Sequence, residues 1–208
     1  MAALRRWILG AAIGTALLAL GSPTAAGIAP PAALKVLLAR LRAHGRAEAD
    51  LVLTRDDPLS GRPRATRGRL ALELPHFARL EFPATGECLT LRGDGGDWLQ
   101  PATRQLLHAG PEAAGGPLRW WVALLDSGAA LREETVPGHG TRVSLAGDAE
   151  AAQRIELGKD GLPVRLEVEV TPGEVQHYPL ARWHLTARRG RAGFVLNAPP
   201  GFETVEMR

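Results

Sequence analysis

Residues able to do chemistry are few in this chain and badly spaced for it. Six histidines, His44, His76, His108, His139, His177 and His184, are scattered along its length. None forms an HExxH pair or meets carboxylates at the spacing a zinc site needs. His184, with apolar neighbours in sequence, reads as structural. No serine stands in GxSxG or SxxK, the settings that activate a hydroxyl nucleophile. Gly93, Gly95 and Gly96 look superficially like a phosphate loop. They lack the Lys-Ser/Thr pair and the following helix, so GDGGD reads as a hairpin turn. Asp94 and Asp97 in that stretch read as turn formers, with a cation site as the sharper alternative. Cys88 is the single cysteine. It excludes an intramolecular disulfide and, in a strand-like segment, reads as a small buried hydrophobe. The expectation is a protein with no catalytic residues, no metal and no cofactor.

The N-terminus carries an address. Arg5 and Arg6 precede an apolar run from Trp7 to Leu20, and Thr24, Ala25, Ala26 and Gly27 close it. This pattern predicts a secretory signal peptide over 1–26, cleaved after Ala26, and a single domain over 27–208. The run is too short to span a bilayer comfortably, which takes roughly 20 residues. Loss of Arg5 and Arg6 leaves 23 basic against 22 acidic residues. Such a near-neutral chain carries no nucleic-acid footprint. The arginine clusters at 62–69 and 188–191 read as solvated edges or hairpin tips.

The elements that would position any site alternate between two periods. Over 32–43, Leu34, Leu37, Leu38 and Leu41 share one helical face, and Gly45 stops the helix. Period 2 then takes over. Ala47, Ala49, Leu51 and Leu53 alternate with polar residues, as do Leu70, Leu72 and Leu74, and Ala78, Leu80 and Phe82. ECLTLRG and DWLQP continue as strands. Residues 108–117 read as irregular, and 118–125 as a short, very apolar helix. LREETV, TRVSLAG, RIELG, VRLEVEV and HYPLARWHLTA read as further strands, followed by an arginine-rich turn. The order predicts a mainly β (α+β) fold: one large, curved antiparallel sheet with helices on one side.

The most unusual feature is a leucine-rich face shared by adjacent strands, with Leu70, Leu72, Leu74, Leu80, Phe82, Leu89 and Leu91 on it. Two readings fit: an ordinary packed core, or a cavity for an acyl chain with the Trp-bearing helix as a lid. Burying lipid methylenes yields roughly 0.8 kcal/mol per CH₂, so a greasy pocket needs no catalytic group.

The stretch GRLALELPHFARLEFPATGECLTLRGDGGDWLQPATRQLL resembles the LolA family, the periplasmic carriers of outer-membrane lipoproteins. The matching positions are Gly68, Pro75, Phe77 to Phe82, Pro83, Asp94 to Trp98 and Pro101. The tail FVLNAPPGFETVE resembles the family's closing segment. The resemblance implies an incomplete antiparallel β-barrel, with an N-terminal helix and a short apolar lid helix covering the open side. It implies a soluble, monomeric periplasmic carrier of acylated lipoproteins between an inner-membrane transporter and an outer-membrane receptor. Relatives that sense lipids or carry other amphiphiles, such as glycolipids, supply the alternative. By analogy the lipid-binding residues are Leu51, Leu53, Leu70, Leu72, Leu74, Leu80, Phe82, Leu89, Leu91, Trp98, Trp121 and Leu125. The best-known members latch the lid with an arginine before the first proline. Leu74 stands there in this chain, which implies a lid held by apolar contact through Trp121.

Overall fold

The computed structural model describes residues 32–56, 63–110, 118, 120–121, 130–136, 140–146, 153–171 and 174–207. Helix α1 (Ala32–His44) buries Leu34, Leu37, Leu38 and Leu41 on one stripe, as spacing by three and four requires. It ends at Gly45, whose φ of 97° is left-handed and whose N–H donates to the Leu41 carbonyl at 2.8 Å. A glycine in this conformation is the usual way to satisfy a helix's last carbonyls.

Twelve strands follow: β1 (Arg46–Asp56), β2 (Pro63–Glu73), β3 (Phe77–Phe82), β4 (Glu87–Leu91), β5 (Gly96–Gln100), β6 (Gln105–Ala109), β7 (Ala130–Val136), β8 (Gly140–Ala146), β9 (Gln153–Leu157), β10 (Pro163–Thr171), β11 (Glu174–Thr186) and β12 (Glu203–Met207). They form one sheet in the order β12-β6-β5-β4-β3-β2-β1-β11-β10-β9-β8-β7. The sheet is open and curved. Every pairing is antiparallel except β12 with β6. Register shifts at Glu48/Asp50, Glu169/Thr171 and Pro163/Arg165 mark bulges, which bend a strand and raise its local twist.

One face, here called inner, carries the apolar alternation. Ala47, Ala49, Leu51 and Leu53 of β1 are all buried there, together with the leucines of α1. The opposite, outer face is charged and is crossed by residues 187–202, which run from β11 to β12 with a 3₁₀ turn at Arg191–Phe194.

Three local expectations are corrected. His108 and Ala109 are not irregular: they end β6 and pair with Asp97 and Gly96. Asp97 is not a turn former, because the turn closes earlier, with the Arg92 N–H donating to the Gly95 carbonyl at 2.9 Å. Asp97 lies inside β5, with 1% of its surface exposed. The segment 187–202 is more than a solvated arginine-rich turn, since it buries Phe194 completely. Residues 1–31, which hold the expected signal, lie outside the described residues, as does most of the expected lid helix; Leu118, Trp120 and Trp121 fall within them.

Candidate functional site: the inner face and its outer brace

The inner face is assembled by register. Ala49, Leu70, Leu80, Leu89, Trp98, Leu107 and Val205 stand opposite one another in sequence across β1, β2, β3, β4, β5, β6 and β12. Cross-strand neighbours at about 4.5–5.5 Å make this a continuous apolar row. Its first three members are buried, and its last four are only half-buried. The row therefore continues beyond the part that is fully covered.

The predicted lipid-binding residues fall as follows. Leu51, Leu53, Leu70, Leu72, Leu80, Phe82, Leu91 and Trp121 lie in one buried cluster with the α1 leucines, and Leu74 and Leu89 pack against it half-buried. Trp98 is half-buried on the same face, with its indole N–H donating to Glu87 Oε1 at 3.0 Å. Leu125 lies outside the described residues. Trp120 and Trp121 meet edge to face with ring centroids 5.7 Å apart, a favourable arrangement for two aromatic quadrupoles. Both are buried, and among the described residues neither indole N–H has a hydrogen-bond partner. An unpaired buried donor costs roughly 1–3 kcal/mol, so this apolar interior contains two donors that can receive an acceptor.

Gly68 shows how tightly β2 sits beneath this face. A Cβ there would lie 2.8 Å from the Glu81 carbonyl oxygen and 2.9 Å from both Leu51 Cδ1 and Phe82 Cδ1. At Leu74 the carbonyl accepts from the Arg188 guanidinium. This contact ties the end of β2 to a residue 114 positions later in sequence.

The outer face holds the parts that periodicity did not identify. Glu73 is fully buried and accepts from Arg46 Nη1 at 2.9 Å, the Arg189 N–H at 2.9 Å and the Gly190 N–H at 3.0 Å. Asp97 accepts from Arg92, from the Leu196 N–H at 3.1 Å, and pairs with His108 Nδ1 at 2.7 Å. Burial pushes the Asp97 carboxyl up, but the Arg92, Leu196 and His108 contacts outweigh it and hold it below the usual carboxylate range. Asp94, exposed, is also lowered, chiefly by its hydrogen bond to Arg191. Between these anchors Phe194 stacks on Phe77 at 5.2 Å and lies 5.3 Å beneath the Arg46 guanidinium. Two buried carboxylates thus fasten a brace of irregular chain to the back of the sheet. Cys88 is buried as expected, and burial raises its thiol to about 11, which leaves it protonated and unreactive at neutral pH. His184, in contrast to its apolar sequence neighbours, is exposed on the outer face opposite Glu48.

No family model matches the chain, and no curated protein matches it in sequence. Solved structures do. An uncharacterised conserved protein from Thermus thermophilus is 17% identical, with 85% of this chain and 100% of that one covered at a TM-score of 0.49. A domain assigned to outer-membrane lipoprotein sorting from Vibrio parahaemolyticus is 12% identical, covering 77% and 95% at 0.45. A LolA superfamily protein from Nitrosomonas europaea is 10% identical, covering 78% and 97% at 0.41. In each case the match runs over nearly the whole of the other protein.

Proposed function

We propose that this protein is a LolA-like lipid carrier. Its inner face takes up the acyl chains of lipoproteins, and the chain, exported by a cleaved signal over 1–26, moves them through the periplasm. An inner-membrane transporter donates the cargo and an outer-membrane receptor accepts it. The observation that carries this reading is the apolar row that outruns its cover: Leu89, Trp98 and Leu107 continue the face of Leu70 and Leu80 yet stay half-buried. A face made only for a core would be covered to its end. The two unpartnered indoles support it further, since an acyl ester or amide carbonyl would satisfy them. Leu51, Leu53, Leu70, Leu72, Leu74, Leu80, Phe82, Leu89, Leu91, Trp98, Trp121 and Leu125 are the proposed lining.

The test is native mass spectrometry of protein purified from the periplasm, with lipid extraction. The expected result is an adduct of diacyl or triacyl mass. Trp121→Ala, and Trp98→Ala as a second variant on the half-buried part of the row, should each weaken retention by about tenfold, equal to ~1.4 kcal/mol. A bare protein mass, together with failure to release lipoprotein from inner membranes, would overturn the carrier reading. Retained lipid without release would favour a lipid sensor.

A further inference from the structure

The outer face of β8–β10 is an ionic lattice in which three arginines share two glutamates. Arg142 pairs with Glu156 at 2.7 Å, Arg154 with Glu167 at 3.9 Å, and Arg165 with both glutamates at 3.9 and 4.0 Å. On the outer face of β2 this matching fails. Arg69 stands opposite Asp50 of β1 and Glu81 of β3, but both carboxylates are engaged elsewhere. Asp50 binds Arg182 at 2.5 Å, and Glu81 binds Arg79 at 3.2 Å. Arg67, two residues along the same face, stands opposite Val52. Among the described residues neither Arg67 nor Arg69 has a carboxylate within ion-pair distance, and both are exposed.

These two guanidinium groups border a groove of about 450 Å³ whose other walls include Val52, Pro83, Ala84 and Pro179. It adjoins a second groove of about 600 Å³, reached past Asp50 and Arg69. Two unpaired arginines on one strand face offer forked donors that suit a phosphate or carboxylate. The apolar shelf beside them has no use for a bare anion but fits the first carbons attached to one.

We propose that the outer groove over β1–β3 binds the phosphodiester headgroup of an anionic amphiphile, with Arg67 and Arg69 on the phosphate and the Val52–Pro83–Pro179 shelf against the adjoining glycerol and methylenes. This site opens on the opposite face from the proposed acyl-chain lining, shares only Leu51 with it, and stands without it.

The experiment uses the full chain with dihexanoyl-phosphatidylglycerol below its micelle concentration, titrated by calorimetry. Dihexanoyl-phosphatidylcholine and inorganic phosphate are the comparisons, and the arginine Nε–H signals are followed by NMR. The anionic lipid should bind most tightly and shift two arginine signals. The double variant R67Q/R69Q should weaken it by about tenfold or more through loss of charge-assisted hydrogen bonds. R132Q/R154Q, which removes the same charge from β7 and β9, should leave it unchanged. Three results overturn the proposal: no binding of the anionic lipid, equal weakening in both double variants, or binding that survives R67Q/R69Q, which would place the lipid elsewhere. Inorganic phosphate binding as tightly as the lipid would overturn the amphiphile and leave a free-anion site.

Discussion

Asp97 concentrates in one side chain what holds the outer face together. Its carboxylate is buried, yet it joins Arg92, His108 and the backbone of Leu196. Because its folded-state pKa is lowered, the stability it contributes is fully present above the ordinary carboxylate pKa, about 4, and is lost as pH falls through the lowered value. Asp97→Asn leaves Arg92 and His108 without their anion and should cost about 3 kcal/mol at neutral pH. It should also flatten the acid limb of stability, measured by urea unfolding from pH 7 down to pH 2. An unchanged midpoint at neutral pH would show that the brace holds without this anchor. Nothing in GDGGD announces the role, because composition alone makes that stretch a turn. Glu73 was hidden in another way: in LALEL it occupies the outward phase, where a charge is ordinarily solvated. Alternation reveals which face a residue is on, but not what later covers that face.

Among the elements, β2 is the most constrained, since it lies between β1 and β3 and carries both the inner leucines and the outer arginines. Its Gly68 packs where no Cβ fits, against a backbone carbonyl that cannot swing away. Gly68→Ala should destabilise by about 2 kcal/mol through overpacking, read as a lowered thermal midpoint; an unshifted midpoint would mean β2 and β3 can separate at no cost. The strands β1, β3 and β4, the second half of β2 and helix α1 were legible because each keeps a strict period, 2 or about 3.6. The start of β2, Pro63–Ala65, read as a polar loop because PRA has no alternation, and its pairing with Thr54–Asp56 makes it strand. β6 was not, because QLLHA is five residues with adjacent leucines and no alternation. Its place is set by cross-strand partners, above all Asp97 to His108. The brace was illegible for a related reason: apart from one 3₁₀ turn it has no repeating geometry, and a single phenylalanine, Phe194, fixes its depth.

At the scale of the whole molecule, the sheet ends, among the described residues, at β7 and β12. β12 is a short strand with charged Glu203 and Glu206, the kind of edge that resists pairing with other chains. Removing residues 203–207 would bare β6 instead, with its QLLHA sequence, and should cause concentration-dependent self-association in sedimentation velocity. A truncated chain that stays monomeric would show that the β6 edge is protected by something else. The broad plan, one helix and a large open sheet with an apolar inner face, follows from periodicity and from the family likeness of the central stretch. The crossing of the outer face does not. From β11 to β12 the brace passes over six strands, about 34 Å at roughly 4.8 Å per strand, a path no local pattern encodes. That path has a consequence in time. Residues 187–207 follow every other strand in chain order, so a growing polypeptide lays down β1 to β11 before the final segment exists. Until it arrives, Glu73 and Asp97 lack their backbone donors and β6 has a bare flank. At about 5–20 residues per second, that interval lasts on the order of seconds, and the sheet is completed by a segment made after all its other strands.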